Sequence, residues 1–134
     1  MILIDTSVWI SHFNGHTSPQ TARLAEILAE NGDTRIFVPG IVLAEILCGL
    51  RSEADVLRIA QLMEGLDSPP PPDAEDYMAA SGIFRTCRRR GETVRSLIDC
   101  LIAQLCLRHD YSLLSADRDF TKIARCFPLK FETV

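Results

Sequence analysis

A chain of 134 residues that is 47% hydrophobic has enough apolar material for one packed core, so a single domain over residues 1–134 is expected. Its apolar runs are broken by Glu45, Asp99 and Gln104 far short of a bilayer span, and no basic segment precedes the first of them, which argues against membrane insertion and a secretion signal. A formal charge of -4 disfavours a protein that coats nucleic acid non-specifically, although an acidic site and a local basic patch can share one surface.

In chain order, residues 2–5 predict a buried strand, and Thr6-Ser7 offers an N-cap for a helix through Val8-Trp9-Ile10. Ser18-Pro19 opens a second helix with Ala22, Leu24, Ala25, Ile27 and Leu28 at helical spacing, and Asn31-Gly32 closes it. Residues 35–38 predict a second strand, broken by Pro39-Gly40; the helix that follows carries Glu45 and stops near Gly49. An amphipathic helix covers about residues 53–65, and Pro69 to Pro72 form a stiff connector. A helix from about Asp73 runs into the basic cluster Arg85, Arg88, Arg89 and Arg90. Ser96 opens a helix that carries Asp99; residues 112–114 predict a strand, 119–125 a short helix and 129–131 a last strand. Short apolar strands alternating with helices imply an α/β fold whose parallel sheet is covered on both faces. Sites on such sheets form beyond the carboxyl ends of the strands, where Asp5 and Asp117 fall.

Those two acids belong to a larger set. Asp5, Glu45, Asp99 and Asp117 each interrupt or close an apolar stretch, and a carboxylate there is costly to bury unless paired, protonated or bound to a cation. Each has a plainer explanation. Asp5 can be a loop residue or a helix cap, Asp99 can complete a capping box with Ser96, and Asp117 and Asp119 can cap the helix after them; for Asp119 taken alone, capping is the favoured reading. Against this, Asp99 lies roughly 140° around its helix from Gln104, off the polar stripe that Gln104 shares with Arg108. Glu45 has no polar stripe to join. Four acids in such contexts point to convergence on a hard divalent cation, and the absence of a nearby His or Cys cluster favours Mg²⁺ or Mn²⁺ over Zn²⁺. A cation so held can activate water and orient a phosphodiester, so a metal-dependent nuclease is expected.

Other residues are open to two readings. Ser7 and Ser115 fit either hydroxyl contacts to metal-bound water or ordinary capping. The arginines at 85, 88, 89, 90 and 95 suit phosphate contacts, or favourable placement at a helix C-terminus. His12, His16 and His109 are expected on the surface and Trp9 in the core. The five cysteines are odd in number and form no Cys-x-x-Cys pair, which fits a reduced, cytoplasmic protein without structural zinc. Cys48, Cys100 and Cys106 sit among leucines and isoleucines, where a thiol behaves as a small apolar group.

With these residues in place, the chain resembles the PIN-domain ribonucleases, and among them the VapC-type toxins of bacterial toxin–antitoxin pairs. The resemblance begins at Ile4-Asp5-Thr6-Ser7-Val8-Trp9-Ile10 and continues through Val42-Leu43-Ala44-Glu45-Ile46 with Gly49-Leu50. It is most specific from Arg89-Arg90-Gly91 through Ile98-Asp99-Cys100-Leu101-Ile102-Ala103 to Leu113-Leu114-Ser115-Ala116-Asp117-Arg118-Asp119-Phe120, while about 53–76 match only loosely. It implies a PIN-like three-layer α/β/α domain with a central parallel sheet. Asp5, Glu45, Asp99 and Asp117 match the family's metal-binding acids, Asp119 an accessory acid and Ser115 a hydroxyl near the site. The implied activity is Mg²⁺- or Mn²⁺-dependent endoribonuclease cleavage of structured cellular RNA, in a homodimer neutralised by a cognate antitoxin. Arg88, Arg89 and Arg90 are then the candidate RNA grips. The helices at 21–30 and 53–65 offer apolar surface for the dimer and antitoxin. A PIN nuclease of RNA maturation without an antitoxin is the nearest alternative. A receiver-like signalling domain is remote, because Asp5 has no acidic neighbour and Lys122 falls in a predicted helix.

Overall fold

β1 (Ile2–Ile4) is the middle strand of a three-stranded parallel sheet of order β2-β1-β3, flanked by β2 (Ile36–Phe37) and β3 (Ser112–Leu114). The computed structural model describes residues 1–30 and 32–134. All three residues of β1 are at most 1% exposed, which accounts for a strand with no polar alternation. The register pairs Leu3 with Leu113 and Ile4 with Leu114, and the ladder continues one step further through Asp5 N–H to Leu114 O at 3.0 Å. That register sets Asp5 beside Ser115 at the carboxyl edge.

The helices are α1 (Thr6–Phe13), α2 (Pro19–Ala29), α3 (Gly40–Cys48), α4 (Glu53–Glu64), α5 (Ala74–Arg89), α6 (Leu97–His109) and α7 (Arg118–Ala124). They pack as two groups: α1 touches α2 and α3, and α3 touches α4, while α5, α6 and α7 contact one another. With the parallel sheet between them, this is the expected three-layer PIN-like α/β/α architecture. No helix is long and apolar enough to cross a membrane among the described residues. Local chemistry sets the helix starts. Ser18 and Thr21 form a capping box ahead of Pro19, Ser52 caps α4, and Asp73 forms a second capping box with Asp76. α6 buries Cys100, Leu101, Ile102, Ala103, Leu105 and Cys106, as a helix apolar nearly all round must. Its one polar seam is used: Arg108 Nη1 donates to Asp76 Oδ2 at 2.6 Å and Gln104 Nε2 to Asp76 Oδ1 at 3.3 Å. Asp76 is 1% exposed, so this cluster clamps α5 to α6.

Several local expectations are corrected. Thr6 does not cap α1; Asp5 occupies the N-cap position and its side chain makes no capping bond, because the carboxylate is turned elsewhere. The strand expected at 129–131 is a single bridge from Phe131 to Leu113. The strand expected at 35–38 is ordered as Ile36–Phe37, with a further bridge from Phe37 to Asp67. α2 has its C-cap at Glu30; of the expected Asn31-Gly32 stop, Asn31 lies outside the described residues, and Gly32 has φ +88°. Cys48 is exposed, whereas Cys100 and Cys106 are buried and all five thiols are free. His16 is exposed as expected, but His12 and His109 are half-buried, set against Phe13 and Tyr111 respectively. Trp9 is in the core at 2% exposure.

Candidate active site

Four separate elements deliver the acids to one place. Asp5 follows β1, Glu45 lies on α3, Asp99 in the first turn of α6, and Asp117 at the N-cap of α7 just past β3. Carboxylate oxygens of Asp99, Asp117 and Asp119 all lie within 4.8 Å of one another. Asp99 is 9% exposed, and burial together with the charges of Asp5, Asp117, Asp119 and Glu45 pushes its carboxyl from 3.8 up to about 7. Every acid singled out in the sequence therefore acts on Asp99. Asp5 is 4% exposed; burial raises its pKa, hydrogen bonds from Ser7, Ser115 and the Thr6 backbone oppose the rise, and Asp117 adds to it.

The hydroxyls orient acids rather than helices. Ser7 Oγ and Ser115 Oγ both donate to Asp5 Oδ2, at 2.7 and 3.0 Å, so one oxygen carries both bonds and the other has no side-chain donor among the described residues. Ser115 also accepts from Asp117 N–H at 3.0 Å, which ties the β3–α7 turn to the same carboxylate. Thr6 Oγ1 donates to Glu45 Oε1 at 3.0 Å. Thr6 was visible in the sequence only as a possible cap. Its real signal is the Asp-Thr-Ser run, in which alternate side chains reach different partners once α1 turns away from β1.

Capping and clustering turn out not to exclude each other. Asp117 Oδ1 caps α7 by accepting from Asp119 N–H at 2.9 Å and still stands in the acid cluster. Asp119 is not the cap; it is 1% exposed, its Oδ2 accepts from Arg95 N–H at 3.0 Å and its Oδ1 from Lys122 Nζ at 3.3 Å. Ser96 accepts from Asp99 N–H at 3.4 Å, but the reciprocal half of a capping box is missing, which leaves the Asp99 carboxylate to the cluster. Arg88 and Arg89 lie in the last turn of α5, with Arg88 over the Phe84 ring and Arg89 on Thr86 Oγ1. Glu92, two residues past Arg90, pairs with Arg125 at the C-cap of α7. Glu92 thus stands by the opposite end of α7 from Asp117, and a helix of that length spans roughly 10 Å at 1.5 Å per residue.

The donor set fits a divalent cation. It is all oxygen and carries excess negative charge, the combination that suits Mg²⁺ or Mn²⁺. Cys100, next to Asp99, is fully buried in the core, and burial above all pushes its thiol up to about 12. A prominent groove is a different feature. It has a volume of about 480 Å³ and is lined by Pro39–Ile41, Ser68–Pro72, Tyr77, Leu97, Ile98 and Leu101 among others, without a charged side chain. Its lining includes Leu97, Ile98 and Leu101 around Asp99 on α6 and Ile41 one turn before Glu45 on α3, but none of the acids themselves.

Comparison with known proteins fixes the lineage. Residues 2–125 match the PIN domain. The chain is 42% identical over 125 residues, 93% of its length, to the VapC ribonuclease Mb1587 of Mycobacterium bovis and to Ribonuclease VapC11 of Mycobacterium tuberculosis, covering 92% of each. It belongs to the PIN-domain family of VapC ribonucleases. Solved structures share its fold. VapBC2 from Rickettsia felis, bound to a DNA fragment from its promoter, superposes with a TM-score of 0.74 at 20% identity over 98% of both chains. VapBC-1 from nontypeable Haemophilus influenzae gives 0.73 at 19% identity over 98% of this chain and 97% of that one. FitAcB from Neisseria gonorrhoeae gives 0.68 at 18% over 99% and 97%. Membership in this family removes the receiver-like alternative, and Lys122 is spent on Asp119 within α7.

Proposed function

We propose that this chain is a metal-dependent endoribonuclease and the toxin of a type II toxin–antitoxin pair, hydrolysing a phosphodiester of structured cellular RNA. The observation that carries the reading is the convergence of Asp5, Glu45, Asp99 and Asp117 on one sheet edge, in a VapC-family chain. Asp99 and Asp117, with Asp5 and Glu45 completing the set and Asp119 beside them, would hold Mg²⁺ or Mn²⁺. Bound there, the ion would supply Lewis-acid polarisation and neutralise charge developing on the phosphate. The protein's own part is to keep the acids apart and aimed. Ser7 and Ser115 fix Asp5, Thr6 fixes Glu45, and the Asp117 cap fixes the start of α7. Burial and the neighbouring acids push the Asp99 carboxyl up to about 7, so cation binding competes with a proton there and tightens as pH rises.

Partners follow from the remaining surface. The uncharged 480 Å³ groove, with Tyr77 and Leu97 each 57% exposed, suits an apolar protein segment better than RNA, and we place a segment of the cognate antitoxin there. Leu28 on α2 and Leu57 and Leu62 on α4 are exposed at 42%, 61% and 57% and are the candidate homodimer face. The free thiols suit the reducing cytoplasm.

The decisive experiment is cleavage of labelled RNA in Mg²⁺, Mn²⁺ and chelator by wild type and by Asp5→Asn, Glu45→Gln, Asp99→Asn and Asp117→Asn. Each variant is expected to lose at least about two orders of magnitude in rate, the scale of a lost transition-state electrostatic contact. Full activity in Asp99→Asn, or cleavage indifferent to chelator, would sink the reading.

A further inference from the structure

The described acids draw one cation to their rim without consuming it. Arg95 Nη2 lies 3.6 Å from Asp117 Oδ1 and its Nε 3.5 Å from Asp119 Oδ1, while the side chain is 74% exposed. Both separations exceed the 2.7–3.2 Å of a formed N–H···O bond. The guanidinium is oriented by attraction but not locked in a fork, and its donors remain available. Its base, by contrast, is rigid. Arg95 N–H donates to Asp119 Oδ2 at 3.0 Å, and Val94 before it is 2% exposed in the core.

Among the described residues, Arg118 is exposed at the first position of α7 but makes no ion pair with the acids, and the remaining cations on α6 and α7 are engaged. Lys122 Nζ donates to Thr93 O at 2.9 Å as well as to Asp119, and is only 30% exposed. Arg108 and Arg125 hold carboxylates at 2.6 and 2.9 Å. Because Lys122 and the Arg95 backbone already satisfy Asp119, the Arg95 guanidinium is not needed to keep that buried acid paired. An exposed arginine on a fixed backbone, beside an excess of negative charge, has one task it suits: receiving a phosphate that the acids alone would repel.

We propose that Arg95 is the phosphate-binding residue of the acid centre, gripping the RNA backbone at the point of cleavage. The Arg88 to Arg90 cluster, at the C-terminal end of α5 and without an ion pair to the acids among the described residues, then serves flanking phosphates at most. This assignment rests on the ribonuclease reading above and adds to it the residue that meets the substrate. A cation sharing the charge of Asp117 loosens that acid's hold on Arg95, so metal and RNA phosphate favour each other.

The test is binding of a fluorescent hairpin RNA in Mg²⁺ between 50 and 300 mM KCl, in the slow-cleaving Asp5→Asn protein with Arg95 intact, as Arg95→Gln and as Arg95→Lys. Melting temperatures are taken alongside. Arg95→Gln is expected to weaken binding about tenfold and to lower the slope of log Kd against log salt by about 0.7–0.9, one phosphate contact. Arg95→Lys is expected to keep most of the slope, and both variants to melt within about 2 °C of the parent. Parental affinity and slope in Arg95→Gln would overturn the assignment. So would a large fall in melting temperature with the parental slope, which marks a structural tie. If wild type neither cleaves nor binds RNA, the ribonuclease reading fails instead, and the two failures are distinct.

Discussion

Replacing Asp99 by asparagine is expected to make the metal-free protein more stable while destroying its activity. Burial and four neighbouring acids raise the Asp99 carboxyl from 3.8 to about 7. A shift of roughly three units at about 1.36 kcal/mol each makes the fully ionised group unfavourable by about 4 kcal/mol. The sign follows from proton binding. Below pH 3.8 the group is protonated in both folded and unfolded chains and there is no penalty. Between about 4 and 7 the folded chain holds the extra proton, so stability falls as pH rises; above 7 the penalty is complete. Asparagine carries none of it. In chelator at pH 8 the variant should therefore unfold later than wild type by about 1–4 kcal/mol, the lower end applying if the other acids share the proton. Near pH 4 the difference should shrink to a few tenths. Mg²⁺ at about a hundred times its Kd should return about 2.7 kcal/mol to wild type and little to the variant. Urea unfolding followed by circular dichroism at pH 8, 6 and 4, in chelator and in Mg²⁺, reads all of this. An asparagine variant less stable than wild type at pH 8, or a difference that ignores pH, would show that Asp99 is a structural hydrogen-bond partner and not a member of a strained cluster.

Asp119→Asn should move stability the other way, losing roughly 1–3 kcal/mol in chelator, because that buried acid accepts from Arg95 N–H and Lys122; an equal or higher melting point would place it with the strained acids. Ser7→Ala combined with Ser115→Ala removes the two donors that favour ionised Asp5, so the acid limb of the pH–rate profile should shift to higher pH, and an unmoved limb refutes that orienting role. Leu57→Glu with Leu62→Glu, at exposed positions on α4, should give monomers by light scattering under conditions where wild type is dimeric. A wild type that is monomeric throughout the micromolar range removes the dimer altogether.

The acids were legible because their sequence context is discordant. Glu45 and Asp99 sit in runs of isoleucine and leucine, and no amphipathic pattern excuses them. Asp117 and Asp119 were harder, since both precede a helix and periodicity cannot say which one caps it. The structure divides them by two residues of helical turn: Asp117 accepts the amide, and Asp119 points back to Arg95. Ser7 and Ser115 are open to two readings in the sequence, a hydroxyl contact at the site or ordinary capping. Ser7 reaches Asp5 locally, from two residues on, whereas what aims Ser115 at Asp5 is the register of β1 against β3, a long-range fact that no local window holds. The last strand was overread for a related reason. Residues 129–131 are apolar enough for a strand, but only Phe131 finds a bridge to Leu113.

The Pro69 to Pro72 connector has a consequence for how the protein could be taken apart. Asp5 and Glu45 precede it, and Asp99 and Asp117 follow it. β1 and β2 lie on one side and β3 on the other. A break at Pro70-Pro71, both exposed, would divide the acids, with Asp119 going to the second piece, and leave each piece with part of a charge cluster. The bridge between Phe37 and Asp67 would stay whole in the first piece, and the clamp of Asp76 on Arg108 in the second. The surface that must re-form between them includes the β1–β3 ladder, ending where Ser115 meets Asp5, the stacking of Phe37 on Tyr111 and the pair of Arg23 with Glu132. Two such fragments, expressed apart and each inert, would report their own reunion by cutting RNA, which turns the proposed activity into a signal of proximity.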